Sequence, residues 1–160
     1  MKLIESIGSH SFERIVQFRA CPGVDLLAAI EAAATDQKIG AGIVLSGIGA
    51  LQQAVFRNLK RFPAQFPVRD EDRLFETLQT PMELVALTGW LASRRDGTLD
   101  IHAHFAASMV VDDRIVTRGG HLTAGTLCGI KVVVAIGVIA DHRVFSGLDV
   151  NTRAHDIFFD

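Results

Sequence analysis

Between Thr98 and Ser108 the chain reads Thr-Leu-Asp-Ile-His-Ala-His-Phe-Ala-Ala-Ser, and its two parities separate cleanly. Leu99, Ile101, Ala103, Phe105 and Ala107 fall on one, and Thr98, Asp100, His102, His104, Ala106 and Ser108 on the other. Side chains of an extended strand point alternately to opposite faces, whereas a helix repeats every 3.6 residues, so this segment is a strand with an apolar core face. A chain carrying such a strand must build a sheet that covers one face and leaves the other open. On the open face His102 and His104 stand about 7 Å apart at their Cα atoms, for a rise near 3.3 Å per residue, and both imidazoles can converge on one ion.

The remaining segments follow the same logic. Residues 11–20 put Phe12, Val16 and Phe18 on one face and Glu13, Gln17 and Arg19 on the other, which is strand periodicity, and Pro22-Gly23 breaks it. From residue 24 to 38 the pattern changes: Leu26, Leu27, Ile30, Ala33 and Ala34 form a helical stripe, with Asp25 near the positive end of the helix dipole. Gly40 suits a helix stop. Residues 41–49 are apolar on both faces and predict a buried central strand, with 51–59 as its successor after a short turn. Three of the four prolines, Pro63, Pro67 and Pro81, fall within 60–81, which predicts an irregular excursion holding a short edge strand at 73–77. Such an excursion is a lid, an interface arm or a solvated loop. Further strands are expected at 82–93, 98–107, 108–112 or 114–117, 131–139 and 144–150, with a polar hairpin turn at Arg94-Arg95-Asp96-Gly97. One helix among so many strands predicts an α+β fold, a mainly antiparallel β-sheet with one principal packed α-helix. At 160 residues the chain is expected to be a single domain, 1–160, with the excursion at 60–81.

Charge and cysteine usage narrow the function classes. Sixteen Lys plus Arg against eighteen Asp plus Glu give a net charge of −2, so the whole molecule exerts no attraction on nucleic acid or anionic lipid. The two cysteines, Cys21 and Cys128, form neither a CxxC pair nor a disulfide framework, which predicts a reducing compartment. Glu5 stands where a signal peptide needs apolar residues, and the apolar run at 132–140 is too short to cross a bilayer. A cytoplasmic protein is expected.

The chemistry concentrates in the second half, where three of the six histidines lie between residues 102 and 121. The third, His121, follows Arg118-Gly119-Gly120, and paired glycines allow a turn that presents its imidazole to the preceding strands. Three imidazoles with a vacant fourth position hold Zn²⁺ in the arrangement that lowers a bound water's pKa to about 7. The trio also suits Fe, Ni, Co or Cu. The alternative is three solvated, unconnected histidines. Glu83 is a candidate general base beside such an ion or an outward-facing strand residue. Arg57 with Asn58 is a candidate clamp for an anion or a strand-end salt bridge. Gly47-Ile48-Gly49 lacks the third glycine and following helix of a dinucleotide fingerprint and predicts a turn or bulge, with no cofactor. His10, His142 and His155 have no partner at ligand spacing and are expected at the surface.

Gly23-Val24-Asp25-Leu26, Ser46-Gly47-Ile48-Gly49, Arg57-Asn58, the stretch Met-Glu-Leu-Val-Ala-Leu-Thr-Gly-Trp-Leu at 82–91, the His-Ala-His strand and Gly119-Gly120-His121-Leu122 together resemble the PPC (plants and prokaryotes conserved) domain family. The resemblance spans nearly all of the chain outside 60–81 and the C-terminal tail. It implies an α+β fold assembled as a homotrimer, with a metal held, as in several prokaryotic members, by the residues matching His102, His104 and His121. Plant members carry a Gly-Arg-Phe-Glu-Ile-Leu block for partner contact, of which residues 80–85 keep only Glu83 and the apolar pattern. Lys131 stands where the resemblance leads one to expect an acidic residue. The Arg-Gly-Arg-Pro hook with which plant relatives reach the DNA minor groove does not occur in these 160 residues.

The expected function is therefore that of a cytoplasmic homotrimeric protein binding zinc, or another divalent transition metal, through His102, His104 and His121. A small molecule of unknown identity would occupy the open position, as ligand or as substrate of a hydrolase or lyase. The alternative is a non-enzymatic DNA-binding or regulatory module, which needs a basic strip assembled across subunits. A third reading is a store for a small anionic metabolite between subunits, with a purely structural ion.

Overall fold

The computed structural model describes residues 3–159. Its elements are β1 (Arg14–Ala20), α1 (Leu26–Asp36), β2 (Ala41–Leu59), a single 3₁₀ turn (Asp70–Asp72), β3 (Arg73–Leu78), β4 (Met82–Ser93), β5 (Leu99–Val111), β6 (Arg114–Leu122), β7 (Leu127–Val138), β8 (Val144–Leu148) and β9 (His155–Phe159). The fold is α+β, with a mostly antiparallel sheet and one helix.

The main sheet runs β1-β7-β2-β4-β5-β6, every pairing is antiparallel, and β3 adds to β2. Strand β2 makes this more than an open sheet. Its first half lies between β7 and β4, and its far end pairs with β6 at Phe56–Leu122 and Arg57–His121. β2, β4, β5 and β6 thus close a ring of hydrogen-bonded strands. Inside it Phe56 and Phe105 stack with ring centroids 5.0 Å apart, among buried Leu84, Leu91, Ala107 and Leu122. Helix α1 closes the core with Leu26, Ile30 and Ala34. Asp25 is its N-cap, accepting from the Ala28 N–H at 3.0 Å and the Gly125 N–H at 2.6 Å, so one carboxylate fixes both the helix start and the loop before β7.

Several expectations need correction. The segments 41–49 and 51–59 are one continuous strand, because β2 absorbs its register shifts as bulges at Val44/Ser46, Gly49/Leu51 and Leu51/Gln53 instead of turning. β2 is central but not buried on both faces, for Ile43, Leu45 and Ile48 are exposed. The segments 108–112 and 114–117 are not alternatives: the first continues β5 to Val111, and the second starts β6 after a two-residue turn in which Asp112 and Asp113 both have positive φ. Strand β7 begins at Leu127, ahead of the expected 131, and β9, which pairs with β8 in a separate small sheet, was not expected. The edge strand expected at 73–77 is β3, and the loop ahead of it is tied down by buried Asp72, which accepts from the Arg61 Nε at 2.8 Å and the Arg69 N–H at 3.1 Å. The hairpin at residues 94–97 forms as read, with the Arg94 N–H bonded to the Thr98 carbonyl at 2.7 Å. Cys21 and Cys128 are free thiols. Among the described residues no helix is long and apolar enough to cross a membrane.

Gly40 does not end the helix. The chain reverses at Lys38, whose φ is 52°, with the Ile39 N–H on the Ala34 carbonyl at 2.8 Å and the Lys38 N–H on the Thr35 carbonyl at 3.1 Å, a Schellman arrangement with lysine at the left-handed position. A side chain there costs about 1 kcal/mol that glycine avoids. Lys38→Gly is therefore expected to raise stability by about 1 kcal/mol, read as an upward shift of the urea midpoint at unchanged slope.

Candidate metal centre

The outer face of β5 carries His102 and His104 because its other parity, Ala103, Phe105, Ala107 and Met109, fills the core. The antiparallel register then sets their neighbours. On the β4 side Trp90 lies opposite His102 and Thr88 opposite His104; on the β6 side His121 lies opposite His104; and on β2 Arg57 lies opposite His121. Residues directly paired across antiparallel strands project to the same face, so all of these side chains share one surface.

The three rings meet. Their centroids are 5.3 Å apart for His102–His104, 4.8 Å for His102–His121 and 5.1 Å for His104–His121, and the ligand nitrogens all lie within 4.8 Å of one another. The Nε2 atoms of His102 and His104 are 3.2 Å apart. Two nitrogens each about 2.1 Å from a common ion at a tetrahedral angle are separated by about 3.4 Å, so this pair already has metal-ligand spacing. The donor set, three imidazoles and no carboxylate, fits a borderline-soft divalent ion with a position left open. Protonation would block it, and the surroundings oppose protonation. Burial, then the charges of Arg57 and the other two histidines, lower His121 to about 3, and burial followed by His104 lowers His102.

Two glycines let the strands approach closely enough. A Cβ on Gly89 would lie 2.2 Å from the His102 carbonyl oxygen, and one on Gly120 would lie 2.9 Å from Asn58 Nδ2 and 3.0 Å from the Arg57 carbonyl oxygen. The Gly119-Gly120 pair expected to make a turn is instead inside β6, where the missing side chain admits β2 rather than bending the chain. Asn58 completes that junction, donating from Nδ2 to the Gly119 carbonyl at 2.8 Å.

The other candidates are dispersed. Glu83 is exposed on β4 opposite Ser108, four residues along β5 from His104, so it is an outward-facing strand residue roughly 13 Å away along the strand. Arg57 forms no strand-end salt bridge among the described residues; it is half-buried beside His121. His142 is exposed as expected, but His10 and His155 are not free surface residues. His10 Nδ1 lies 3.1 Å from Asp141 Oδ2. His155 Nδ1 lies 2.9 Å from Asp100 Oδ2. Asp100 also takes a two-pronged bond from Arg94, at 2.7 and 2.5 Å, and one from Ser146 at 2.5 Å. Burial alone would raise the Asp100 carboxyl, but these donors outweigh it and hold it at about 2. Although it shares the histidine face, Asp100 is committed to this clamp. A cleft of about 620 Å³ lined by Ile43, Trp90, His102, His104 and Phe159 opens beside the cluster. Nothing in local sequence flags Trp90 or Phe159 as neighbours of the histidines, since both arrive by pairing and packing.

The sequence profile of the Plants and Prokaryotes Conserved (PCC) domain matches residues 8–140. The chain belongs to the PCC, or PPC, family. The PPC fold is shared with solved structures at low identity. A PPC protein of Pyrococcus horikoshii superposes with TM-score 0.73 at 20% identity, over 97% of this chain and 96% of that one. A metal-containing protein of Archaeoglobus fulgidus does so with TM-score 0.70 at 21% identity, over 96% of each chain. A candidate DNA-binding protein of Bacteroides thetaiotaomicron gives 0.70 at 17% identity, over 94% and 97%. In sequence, the bifunctional protein GlmU of Synechococcus sp. (strain JA-3-3Ab) is 37% identical over 130 residues, 81% of this chain but 18% of that protein. The chain thus spans about a fifth of the length of that curated relative.

The depressed His121 has a consequence for the PPC chain kept free of metal by a chelator during measurement. Its folded value of about 3 lies below the ordinary 6.5, so between these limits the unfolded chain binds a proton that the folded chain refuses. Stability is therefore expected to fall as pH drops from about 6.5 toward 4.5, above the range where carboxylates titrate. Urea midpoints measured across that window should decline, and His121→Gln should flatten the decline.

Proposed function

We propose that this PPC domain is a metal-binding protein in which His102, His104 and His121 hold zinc or a similar divalent transition ion, leaving at least one coordination position for a small-molecule ligand. The observation that carries the reading is the convergence of three imidazoles from two strands, with ligand nitrogens all within 4.8 Å. The metal-containing Archaeoglobus relative supports it. Such an ion supplies Lewis acidity, polarising an oxygen of whatever binds at the open position. The chain's own part is to hold the three imidazoles at one point, to oppose protonation of His102 and His121, and to offer the Trp90 cleft to the ligand. If the site is catalytic, hydrolysis or a lyase step is the chemistry this donor set favours.

Assembly as a homotrimer in the cytoplasm belongs to the same proposal. The trimer follows the family resemblance and the location the cysteine usage, and self-association is supported by large apolar side chains that one chain leaves in water: Val110 on β5, Ile115 on β6 and Ile130 on β7, which line one depression, and Ile48 on β2.

Metal analysis of protein purified without chelator is expected to find about one equivalent per chain, dropping below about a tenth in His102→Ala and His121→Ala. Light scattering on the same preparation is expected to give three times the 17.4 kDa chain mass. Metal below a tenth of an equivalent in the parent, unchanged in both variants, would refute the site.

A DNA-binding or regulatory role is the second reading, supported by the Bacteroides relative. The net charge of −2 weighs against it, because counterion release needs a cluster of cations on the DNA-facing surface. No retardation of duplex DNA is expected at micromolar protein in about 0.1 M salt, and a salt-sensitive shift would favour the second reading.

A further inference from the structure

One row of side chains crosses five strands on the outer face: Thr88 on β4, His104 on β5, His121 on β6, Arg57 on β2 and Phe75 on β3, each opposite the next in register. Arg57 therefore flanks the histidine cluster on one side, its Cβ about 5 Å from that of His121. The apolar cleft of Ile43, Trp90 and Phe159 flanks it on the other. From these positions we propose that the small molecule received at the metal site is an oxyanion, a carboxylate or phosphate-type group, joined to an apolar body, with Arg57 taking the anion and the Trp90 cleft taking the apolar part. The proposal rests on the metal reading above and deepens it.

Three observations support it. First, Arg57 is half-buried, yet makes no ion pair among the described residues, whereas Arg61, Arg73, Arg94, Arg118 and Arg143 each pair with a carboxylate within 4.0 Å. A partly desolvated guanidinium without an anion is a cost the fold carries, and its planar fork suits two oxygens of one carboxylate or phosphate. Second, Asp70, a nearby carboxylate that could neutralise Arg57, is already engaged by Arg73 at 3.0 Å, which leaves the guanidinium free for a ligand's anion. Third, the opposite flank is mostly aromatic and aliphatic, with His10 among its lining and the Asp156 carboxylate near His102, and Trp90 tilts against His102 with centroids 5.5 Å apart.

The spacing limits size. From β4 to the far end of β2 is three strand intervals, roughly 14 Å, and the arginine side chain reaches back about 6 Å, leaving about 8 Å for a ligand that spans the ion. An aryl-substituted acid with one or two linking carbons has that length.

The test uses the zinc-loaded protein and four probes: phenylacetate, acetate, phenylphosphonate and the neutral benzyl alcohol, titrated calorimetrically. Phenylacetate or phenylphosphonate is expected to bind at least about tenfold more tightly than acetate or benzyl alcohol, and the better of the two identifies the oxyanion. Arg57→Gln should keep the zinc content of the parent with a thermal midpoint no lower than the parent's and lose about tenfold in affinity for the acids, while Arg57→Lys, which keeps the charge but not the fork, loses less. Trp90→Ala should abolish the preference for the aryl acid over acetate. Acid affinity within twofold of the parent in zinc-loaded Arg57→Gln overturns the proposal, as does equal binding of benzyl alcohol, or no binding of any acid at about 10 mM. If the parent holds no zinc yet binds the aryl acid through Arg57, the metal reading fails and the anion site stands.

Discussion

The two-residue period of β5 holds the structure and its chemistry in one register. One parity inserts Phe105 against Phe56 inside the strand ring, and the other projects His102 and His104 outward. A slip of one residue would exchange the two faces, driving imidazoles into an apolar core and Phe105 into water, so the packing that stabilises the ring also fixes where the nitrogens stand. The third imidazole inherits this accuracy. His121 lies opposite His104 only while β6 keeps its register, and buried Leu122, paired with Phe56 on β2, keeps it. The site is therefore positioned by hydrophobic packing on the far side of the same strands, and a ligand there meets donors already in place.

Local periodicity makes much of the fold legible in the sequence alone. Strand alternation around residues 11–20 and 98–107 and the single helical stripe led directly to an antiparallel α+β fold. What escaped was decided by pairing or by conformations that sequence encodes weakly. β2 continues through Gly47-Ile48-Gly49 because bulges let a strand shift register without turning back. Helix α1 stops at a lysine held at positive φ, where propensity would have chosen Gly40. The hairpin partner of β8, His155–Phe159, follows no clean alternation, and its existence depends on packing against Ala41, Ile139 and Val144.

The site divides the same way. His102 and His104 share a face by arithmetic alone. That His121 should face His104, and that Arg57 should follow on β2, depend on the β5–β6 and β2–β6 registers, which only closure of the ring creates. Gly119-Gly120 was readable as a place where backbone needs room, but the room serves a neighbouring strand rather than a turn. His10 and His155 looked like solvent-facing residues because their carboxylates, Asp141 and Asp100, lie 131 and 55 positions away in the chain. No window of sequence brings such partners together.

A site on the outer face of a strand ring has a difficulty that a cavity does not: the surface curves away, and side chains alone cannot enclose a ligand. The chain answers with elements outside the ring. Phe159 and Ile157 on β9 and Phe12 before β1 form the walls of the cleft beside Trp90. The small β8–β9 sheet is pinned to the histidine strand itself, since Asp100, two residues before His102, receives Ser146 from β8 and His155 from β9 while Arg94 fixes it from the hairpin turn. A partly buried carboxylate that would otherwise be costly becomes the joint that sets wall against floor. The Asp100 clamp and the histidine cluster thus share one face of one strand and divide its labour: the first determines the shape of the cleft, and the second supplies the polar atoms at its end.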